Sequence, residues 1–304
     1  MRDSITVACA QVEPVILDRE GTLDKLEAVT AEAAAAGAGL VVFPETFIPA
    51  YPSSVWAKAF AGWADPRAKA AYSLLVRESV EVPGPAVERL GEIARRHAVW
   101  LVTGVNELDP ERPGTLYNSL LYHAPDGSLA QHHRKLVPTN HERLVWGQGD
   151  GSGLAAIDAG FGRIGGLICW ENYMPLARFA LYETGLEVYV ASTADDSDAW
   201  QATLVHLARE SRAFVVSPCH FQRATSYPDD FPLRELLDGK DIIGRGGSAV
   251  LAPDGSYLAG PLYDTEGILY AELDPARLRE ERQRFDPAGH YHRPDVLKLT
   301  VTPN

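Results

Sequence analysis

The sequence predicts a single mixed α/β domain in which β-sheets lie between layers of helices. Strand-like and helix-like patterns alternate along its 304 residues, and two Pro-Asp-Gly-Ser turns, at 125–128 and 253–256, predict hairpins within the sheets. No low-complexity linker or internal repeat divides the chain. With 46% hydrophobic and 23% charged residues, the composition is that of a globular protein.

Apolar periodicity locates the individual elements. Leu23, Leu26 and Val29 recur at helical spacing and predict a helix over 19–36. Residues 40–43 form a continuous apolar run, as expected of a strand that is covered on both faces. The same patterns predict further helices at 67–79, 85–97, about 174–184 and about 198–213, and strands at 5–10, 99–104, 116–122, 129–135, 164–168, 188–190, 214–217, 248–252 and 257–260.

Two segments fall outside this alternation. Residues 222–240 are predicted to form an insertion or excursion from the sheets. The residues after about 281 contain Pro287, Gly289 and Pro294, which indicates an extended arm. We therefore expect one domain over residues 1–281 and a C-terminal arm over residues 282–304.

Charge and cysteine content exclude several classes of function. A net charge of −13 is unfavourable for binding nucleic-acid phosphates or anionic lipid, and no apolar run approaches the roughly 20 residues of a membrane span. The N-terminus does not have the layout of a signal peptide. Three cysteines without a C-x-x-C pair do not make a disulfide framework and fit a reducing compartment. We expect a cytoplasmic enzyme that binds neither nucleic acid nor membrane.

Several motif matches do not have the context that their chemistry requires. Gly160-Phe-Gly-Arg-Ile-Gly165 matches G-x-G-x-x-G, but it precedes a strand instead of following one, which indicates a hairpin turn. The glycine-rich segment 147–153 lacks G-K-[ST] and is predicted to be a flexible loop. His132-His133 and His290-x-His292 lack the spacing of a zinc site, so we expect surface or packing histidines. We expect no metal and no organic cofactor.

Among the cysteines, Cys169 has the most informative surroundings. It ends an apolar strand and leads through Trp170-Glu-Asn-Tyr into a helix, so nearby backbone N–H groups could stabilise a thiolate or a developing anion. Cys9 lies mid-strand, which is typical of packing. Cys219 precedes His220, but adjacent residues of an extended chain point to opposite faces and would not form a dyad. This context alone leaves both a catalytic role and a packing role open for Cys169.

A thiol nucleophile needs a base and an electrostatic partner. Glu45 follows an apolar strand through a proline, and Lys135 is followed directly by the apolar residues 136–138. Glu142, in Asn-His-Glu-Arg, is the next candidate. Taken singly, each of these charges could equally belong to the solvated surface.

Three motifs in order resemble the carbon–nitrogen hydrolase superfamily, which has a Glu–Lys–Cys triad: Phe43-Pro-Glu45, Arg134-Lys135-Leu-Val-Pro-Thr139 and Ile168-Cys169-Trp-Glu-Asn172. Further motifs are similar to its nitrilase branch, which includes cyanide-degrading relatives. They are Cys169-Trp-Glu-Asn-Tyr-Met-Pro-Leu-Ala-Arg178, Glu142-Arg-x-x-Trp146-Gly-Gln-Gly-Asp-Gly151 and Gly289-His-Tyr-x-Arg-Pro-Asp295. The resemblance extends from Val7 to about Leu297, almost the whole chain.

The resemblance implies a four-layer α-β-β-α sandwich of the nitrilase type that forms a homodimer across a helical face. Larger spiral oligomers would use insertions that correspond to about 53–75 and 222–240. It also implies hydrolysis of an organic nitrile to a carboxylic acid and ammonia through a thioimidate and a thioester on Cys169. Glu45 would act as general base and Lys135 would stabilise the nitrogen anion with the Trp170 N–H.

The remaining assignments are less specific. The resemblance gives Glu142 the role of positioning Lys135 and the substrate or relaying protons. Tyr51, His141 and Trp170 are candidates for substrate binding, and Glu171 is expected to be structural, as a helix cap. Trp56, Trp63, Trp146 and Trp200 would suit an aryl nitrile or the protein core.

The substrate and the reaction class also stay open at this point. The substrate could be an aliphatic, aryl or arylaceto nitrile, or cyanide. The alternatives to a nitrilase are a cyanide hydratase or dihydratase, an amidase or N-carbamoyl hydrolase of the same superfamily, and a scaffold that has no catalytic activity.

Overall fold

Two mixed seven-stranded β-sheets, packed face to face, form the centre of the computed structural model, which describes residues 1–303. The first sheet has the strand order β14-β1-β2-β4-β5-β6, with β3 paired to β4. Its strands are β1 Ile5–Gln11, β2 Leu40–Val42, β3 Val80–Glu81, β4 Trp100–Leu108, β5 Leu116–His123, β6 Leu129–Arg134 and β14 Gly267–Leu273.

The second sheet has the strand order β11-β12-β10-β9-β8-β7, with β13 paired to β12. Its strands are β7 Ile157–Asp158, β8 Arg163–Gly166, β9 Val188–Val190, β10 Phe214–Ser217, β11 Phe221–Arg223, β12 Ile242–Leu251 and β13 Tyr257–Tyr263. Strands β8, β9 and β10 run parallel, as do β1, β2 and β4 in the first sheet. In each sheet the parallel strands are bordered by antiparallel ones.

Helices cover the outer face of each sheet. The helices are α1 Arg19–Ala35, α2 Ser54–Ala57, α3 Pro66–Glu78, α4 Pro85–His97, α5 Pro175–Glu183, α6 Asp198–Ser211 and α7 Pro275–Arg284. Apolar residues of α1 and α4 pack on the first sheet and those of α5 and α6 on the second, while a separate buried cluster joins the two sheets. The predicted sandwich of sheets between helices is confirmed, in the layer order α-β-β-α.

The C-terminal elements were not predicted in full. Helix α7 buries Pro275 and Leu278 among many charged residues, so it has no clear apolar periodicity. Its start is fixed by Asp274, whose side chain accepts the Ala276 N–H, and by Pro275 in the first turn. Residues 285–303 form no helix or strand. The division into a domain and an arm at residue 281 stays a prediction.

One segment packs more closely than the sequence predicted. Residues 222–240 place Tyr227, Phe231 and Leu237 in a buried cluster with Trp56, so this segment is part of the core.

The predicted hairpin turn at 160–162 does join β7 to β8. Among the described residues, no helix is both long enough and apolar enough to cross a bilayer.

Candidate active site

Three charged side chains meet in the protein interior. The Lys135 ammonium lies 2.8 Å from Glu45 Oε1 and 2.7 Å from Glu142 Oε2. All three side chains are at most 1% exposed. Burying charge is unfavourable unless the charges are paired and hydrogen-bonded, and here one ammonium bridges two carboxylates. The structure therefore brings Glu45, Lys135 and Glu142 into one buried cluster.

Cys169 lies in the tight turn that follows β8. It begins a single 3₁₀ turn over Cys169–Tyr173. Its φ of +51° lies in the left-handed region, which residues other than glycine rarely adopt. Its N–H donates to Ser192 O at 2.9 Å, and its Sγ accepts the Thr193 hydroxyl at 3.1 Å. The predicted placement of Cys169 at a strand-to-helix turn is confirmed.

Burial and nearby charges control the charge state of the Cys169 thiol. Burial raises the pKa of Cys169 well above its usual range, the Glu45 carboxylate raises it further, and the Lys135 ammonium only partly opposes these effects. The thiol is therefore protonated at neutral pH before substrate binds. A protonated thiol is a poor nucleophile, so a nucleophilic role for Cys169 would require a base.

The two carboxylate oxygens of Glu45 have different environments. Oε1 accepts hydrogen bonds from Lys135 Nζ and from Asn118 Nδ2 at 2.7 Å. Oε2 is buried and has no donor among residues 1–303. Burial, with the charge of Glu142, raises the pKa of Glu45 although Lys135 opposes the shift, and a higher pKa makes a carboxylate a stronger base. One oxygen is thus held in place, and the other is free to accept a proton.

Glu142 is fixed by its own turn and by Tyr51. It lies in the 3₁₀ turn Asn140–Leu144, where Oε2 also accepts the Thr139 N–H at 2.6 Å. The Tyr51 hydroxyl donates to Oε1 at 2.9 Å and lies 3.4 Å from His141 Nε2. Burial and the Glu142 carboxylate raise the pKa of Tyr51 well above its usual range, so the phenol stays a donor. Tyr51 and His141 therefore lie beside the charged cluster.

The Trp170 side chain lies differently from those of Tyr51 and His141. It is 50% exposed, and its indole N–H donates to Asp195 Oδ2 at 2.7 Å. The ring packs edge-to-face against Tyr173, with centroids 5.4 Å apart. Its backbone follows Cys169 directly, while the indole is held on the Asp195 side of the turn.

Of the other four tryptophans considered, only Trp146 borders the cluster. Its ring centroid lies 5.9 Å from Lys135 Nζ and 6.0 Å from the ring of Tyr51. Trp56 and Trp200 are fully buried in apolar clusters away from these charges, and Trp63 is 94% exposed.

Three residues at the site were not predicted from the sequence: Asn118, Thr193 and His220. Asn118 interrupts the apolar strand β5, and Thr193 follows the apolar strand β9 much as Glu45 follows β2. Both patterns are visible in the sequence. His220 contacts the Glu45 carbonyl oxygen, and burial lowers the pKa of its imidazole to about 4, so the ring is neutral. Its adjacency to Cys219 gave no indication of this contact.

Each histidine of the pair that precedes Lys135 in sequence, His132 and His133, contacts a carboxylate. His132 Nε2 lies 2.7 Å from Glu107 Oε2, and the buried His133 Nε2 lies 2.9 Å from Glu171 Oε2. Within residues 1–303, no group of three or more His, Cys, Asp or Glu side chains is placed to hold a metal ion.

Glycines allow the backbone to approach the site closely. A Cβ at Gly104 would lie 2.2 Å from Pro44 O, so β4 passes directly beside the turn that carries Glu45. A Cβ at Gly149 would lie 2.2 Å from Arg134 O, and the Gly149 N–H donates to Lys135 O at 2.9 Å. The glycine-rich segment 147–153 was predicted to be a flexible loop, but here it packs against the backbone of Lys135.

Comparison with known proteins identifies the family. Residues 6–283 match the carbon-nitrogen hydrolase family. The chain belongs to this family. It is 41% identical over 303 residues to Nitrilase 1 of Arabidopsis thaliana, covering 98% of this chain and 87% of the relative. It is 42% identical over 294 residues to the aliphatic nitrilase of Sinorhizobium fredii (strain HH103), covering 97% and 94%.

A solved structure agrees with the fold of this carbon–nitrogen hydrolase. The carbon-nitrogen hydrolase from Helicobacter pylori G27 has a TM-score of 0.74 to it at 21% identity, and the similarity covers 98% of this chain and 99% of that one. The family and the fold class predicted from the sequence are therefore confirmed.

Proposed function

We propose that this enzyme hydrolyses an organic nitrile to the carboxylic acid and ammonia, with Cys169 as the nucleophile. The observation that carries the proposal is the buried Glu45–Lys135–Glu142 cluster, in a chain that is 41–42% identical to nitrilases over nearly its whole length. A nitrile carbon is a weak electrophile, and attack on it places charge on nitrogen. The reaction therefore needs a strong nucleophile, a base and a cation in one place.

In the first step, Glu45 takes the proton of the Cys169 thiol and the sulfur attacks the nitrile carbon. One carbon–nitrogen π bond breaks, and its electron pair moves to nitrogen, which takes up a proton to give a covalent thioimidate. The unoccupied Glu45 Oε2 suits the transfer of the thiol proton. The Thr193 hydroxyl, 3.1 Å from Sγ, favours the thiolate as it forms.

In the second half of the reaction, water adds to the thioimidate carbon and the carbon–nitrogen bond breaks, so that ammonia leaves and a thioester remains. A second water cleaves the thioester, and the sulfur takes back its proton. Glu45 is the proposed base for both waters. Two water molecules are consumed for each acid and ammonia formed.

Lys135 is the proposed electrostatic partner throughout the reaction. Burial alone lowers its pKa, but the Glu45 and Glu142 carboxylates raise it above its usual range, so the ammonium stays charged. A fixed cation in a site that excludes water stabilises developing negative charge strongly. Glu142 would hold this cation in place, and Tyr51, His141 and Trp170 stay the proposed substrate-binding residues.

A substrate panel tests this function and its alternatives. We would measure ammonia release from aliphatic, aryl and arylaceto nitriles, from cyanide and from the matching amides, with Cys169→Ala as the control. A nitrilase releases acid and ammonia from nitriles faster than from amides. Faster amide hydrolysis would indicate an amidase, formamide or formate from cyanide would indicate a cyanide-degrading enzyme, and inertness toward the whole panel would contradict catalysis.

The proposed enzyme self-associates as a homodimer or a larger spiral oligomer and acts in the cytoplasm. Leu176 at the start of α5 and Tyr291 beyond α7 are 69% and 62% exposed, which favours contact with another copy. All three cysteines are unpaired, in keeping with a reducing compartment. Light scattering coupled to size-exclusion chromatography tests the assembly, and a purely monomeric mass would contradict it.

A further inference from the structure

Glu171 connects the backbones on which Lys135 and Cys169 lie. Its Oε1 accepts the Leu136 N–H and its Oε2 accepts the Ile168 N–H, both at 2.8 Å. Leu136 directly follows Lys135, and Ile168 directly precedes Cys169. The Ile168 contact is the helix cap that the sequence predicted, whereas the Leu136 contact joins a different part of the chain.

The two connected segments belong to different sheets. Lys135 follows β6 in the first sheet, and Cys169 follows β8 in the second. No strand of one sheet pairs with a strand of the other among residues 1–303, so the separation of these segments depends on side-chain contacts. The Glu171 carboxylate accepts a backbone N–H from each of the two segments, so it links them directly.

The His133 imidazole contacts the Glu171 carboxylate. Its Nε2 lies 2.9 Å from Glu171 Oε2 and 3.2 Å from Oε1, and both side chains are at most 1% exposed. Burial alone would raise the pKa of Glu171, but His133 and the two backbone N–H groups lower it below its usual range. The carboxylate therefore stays ionised, and hydrogen bonds to an ionised acceptor are roughly twice as strong as neutral ones.

We propose that Glu171 is a positioning residue: its carboxylate, held by His133, sets the distance between the Lys135 ammonium and the Cys169 thiol. Glu171 itself touches neither the reacting atoms nor the substrate. This role rests on the proposed function, because it assigns to Glu171 the alignment of the proposed nucleophile with its electrostatic partner. Catalysis is sensitive to such alignment, since a shift of about 1 Å can lower the rate about a hundredfold.

Glu171→Gln tests the positioning directly. Glutamine keeps one acceptor oxygen and replaces the other with an NH₂ group, which faces the N–H of Leu136 or Ile168, so one of the two backbone contacts is lost. We expect kcat to fall about 10- to 100-fold while KM changes by less than about threefold. The rate at which iodoacetamide alkylates Cys169, measured by peptide mass, should fall as well.

Glu107→Gln is the matched control. The Glu107 side chain is also fully buried and bonded to a histidine, His132 at 2.7 Å, and to Arg134 Nε at 3.0 Å. Its partners all lie in the first sheet, so it does not reach the turn that carries Cys169. This control should lower Tm about as much as Glu171→Gln, but keep kcat and the alkylation rate within about threefold of wild type.

Two variants of His133 keep the test decisive if Glu171→Gln does not fold. Glutamine can place a side-chain N–H near the position of the His133 Nε2, whereas leucine removes the donor. His133→Leu should therefore lower kcat and the Cys169 alkylation rate, and His133→Gln should restore most of both. Equal rates in the two variants would overturn the proposal, as would a loss in Glu171→Gln no larger than that in Glu107→Gln.

The alkylation rate also separates the two hypotheses. If wild type hydrolyses no nitrile but Glu171→Gln still slows alkylation of Cys169 relative to Glu107→Gln, the proposed function fails and the positioning role holds. If wild type is an active nitrilase and both readouts are unchanged in Glu171→Gln, the positioning role alone is wrong.

Discussion

The Lys135 ammonium lies 2.8 Å from Glu45 Oε1, with both side chains completely removed from solvent. Deleting Lys135 would leave the Glu45 carboxylate as an uncompensated buried charge. Glu142 adds a second carboxylate on the other side of the same ammonium, at 2.7 Å. The cluster therefore has one arrangement in which its charges are paired, and this arrangement lies beside the Cys169 turn.

Removing the cation should destabilise the fold as well as abolish turnover. Lys135→Met leaves two buried carboxylates facing each other, so we expect the free energy of unfolding to fall by about 3–5 kcal/mol. Lys25→Met is the matched control, because the pair of Lys25 and Glu266 is about one-third exposed and should contribute less than about 1 kcal/mol. Urea denaturation measures both, and equal losses would contradict the pairing.

Replacing the proposed nucleophile, Cys169, should remove activity without unfolding the protein. Cys169→Ala and Cys169→Ser should lower kcat by at least about a thousandfold, since a hydroxyl is far less nucleophilic than a thiol under the same base. Cys219→Ala is the control, because Cys219 is also a buried free cysteine but has no role in the proposed mechanism. Ammonia release is the measurement. Activity in Cys169→Ala, or a loss of activity in Cys219→Ala alone, would mean that a residue other than Cys169 is the nucleophile.

The Tyr51 hydroxyl should matter for rate more than for stability. Tyr51→Phe removes the 2.9 Å hydrogen bond to Glu142 Oε1, so the carboxylate that holds Lys135 loses one of its donors. A lost hydrogen bond to a charged group corresponds to about a tenfold fall in kcat/KM. Tyr227→Phe, which removes a buried hydroxyl bonded to Trp56, is the control and should keep its activity. Steady-state kinetics of the two variants would show no difference if Tyr51 only packs.

The acidic limb of the pH profile should report the pKa of Glu45. Burial raises this pKa above the ordinary value of 4.5, and only the ionised carboxylate can accept the thiol proton, so activity is lost as the pH falls through the raised pKa. Asn118→Asp places another carboxyl group against Glu45 Oε1, and a nearby like charge raises the pKa further.

We therefore expect the acidic limb of kcat/KM to move to higher pH by about one unit or more in Asn118→Asp. An unchanged limb, or a shift toward lower pH, would mean that a group other than Glu45 controls this part of the profile.

Much of the site could be predicted from the sequence, because Glu45 and Cys169 each follow an apolar strand, Lys135 directly precedes an apolar run, and all three lie within recognisable motifs. The layers were predictable because the helices that cover the sheets carry apolar residues at helical spacing. Helix α7 was not, because a charged helix with one buried leucine lacks that periodicity.

The supporting residues depend on contacts that a linear pattern does not encode. Asn118 reaches Glu45 because only β4 separates β5 from β2, the strand that leads to Glu45. Glu171 joins two sheets through atoms that are 35 positions apart in the chain. His220 bonds to the carbonyl of Glu45 across 175 positions. Such contacts follow from how the sheets pair and stack, so they become visible only in three dimensions.

The covalent intermediate on Cys169 is the central claim, and mass spectrometry tests it most directly. Wild-type enzyme would be mixed with a substrate nitrile, quenched in acid during turnover and analysed as intact protein and as peptides. We predict a mass increase equal to the thioimidate or acyl group of that nitrile, located on Cys169 and missing from Cys169→Ala. Turnover with the adduct on Cys9 or Cys219, or with no adduct under conditions that retain a thioester, would contradict the account.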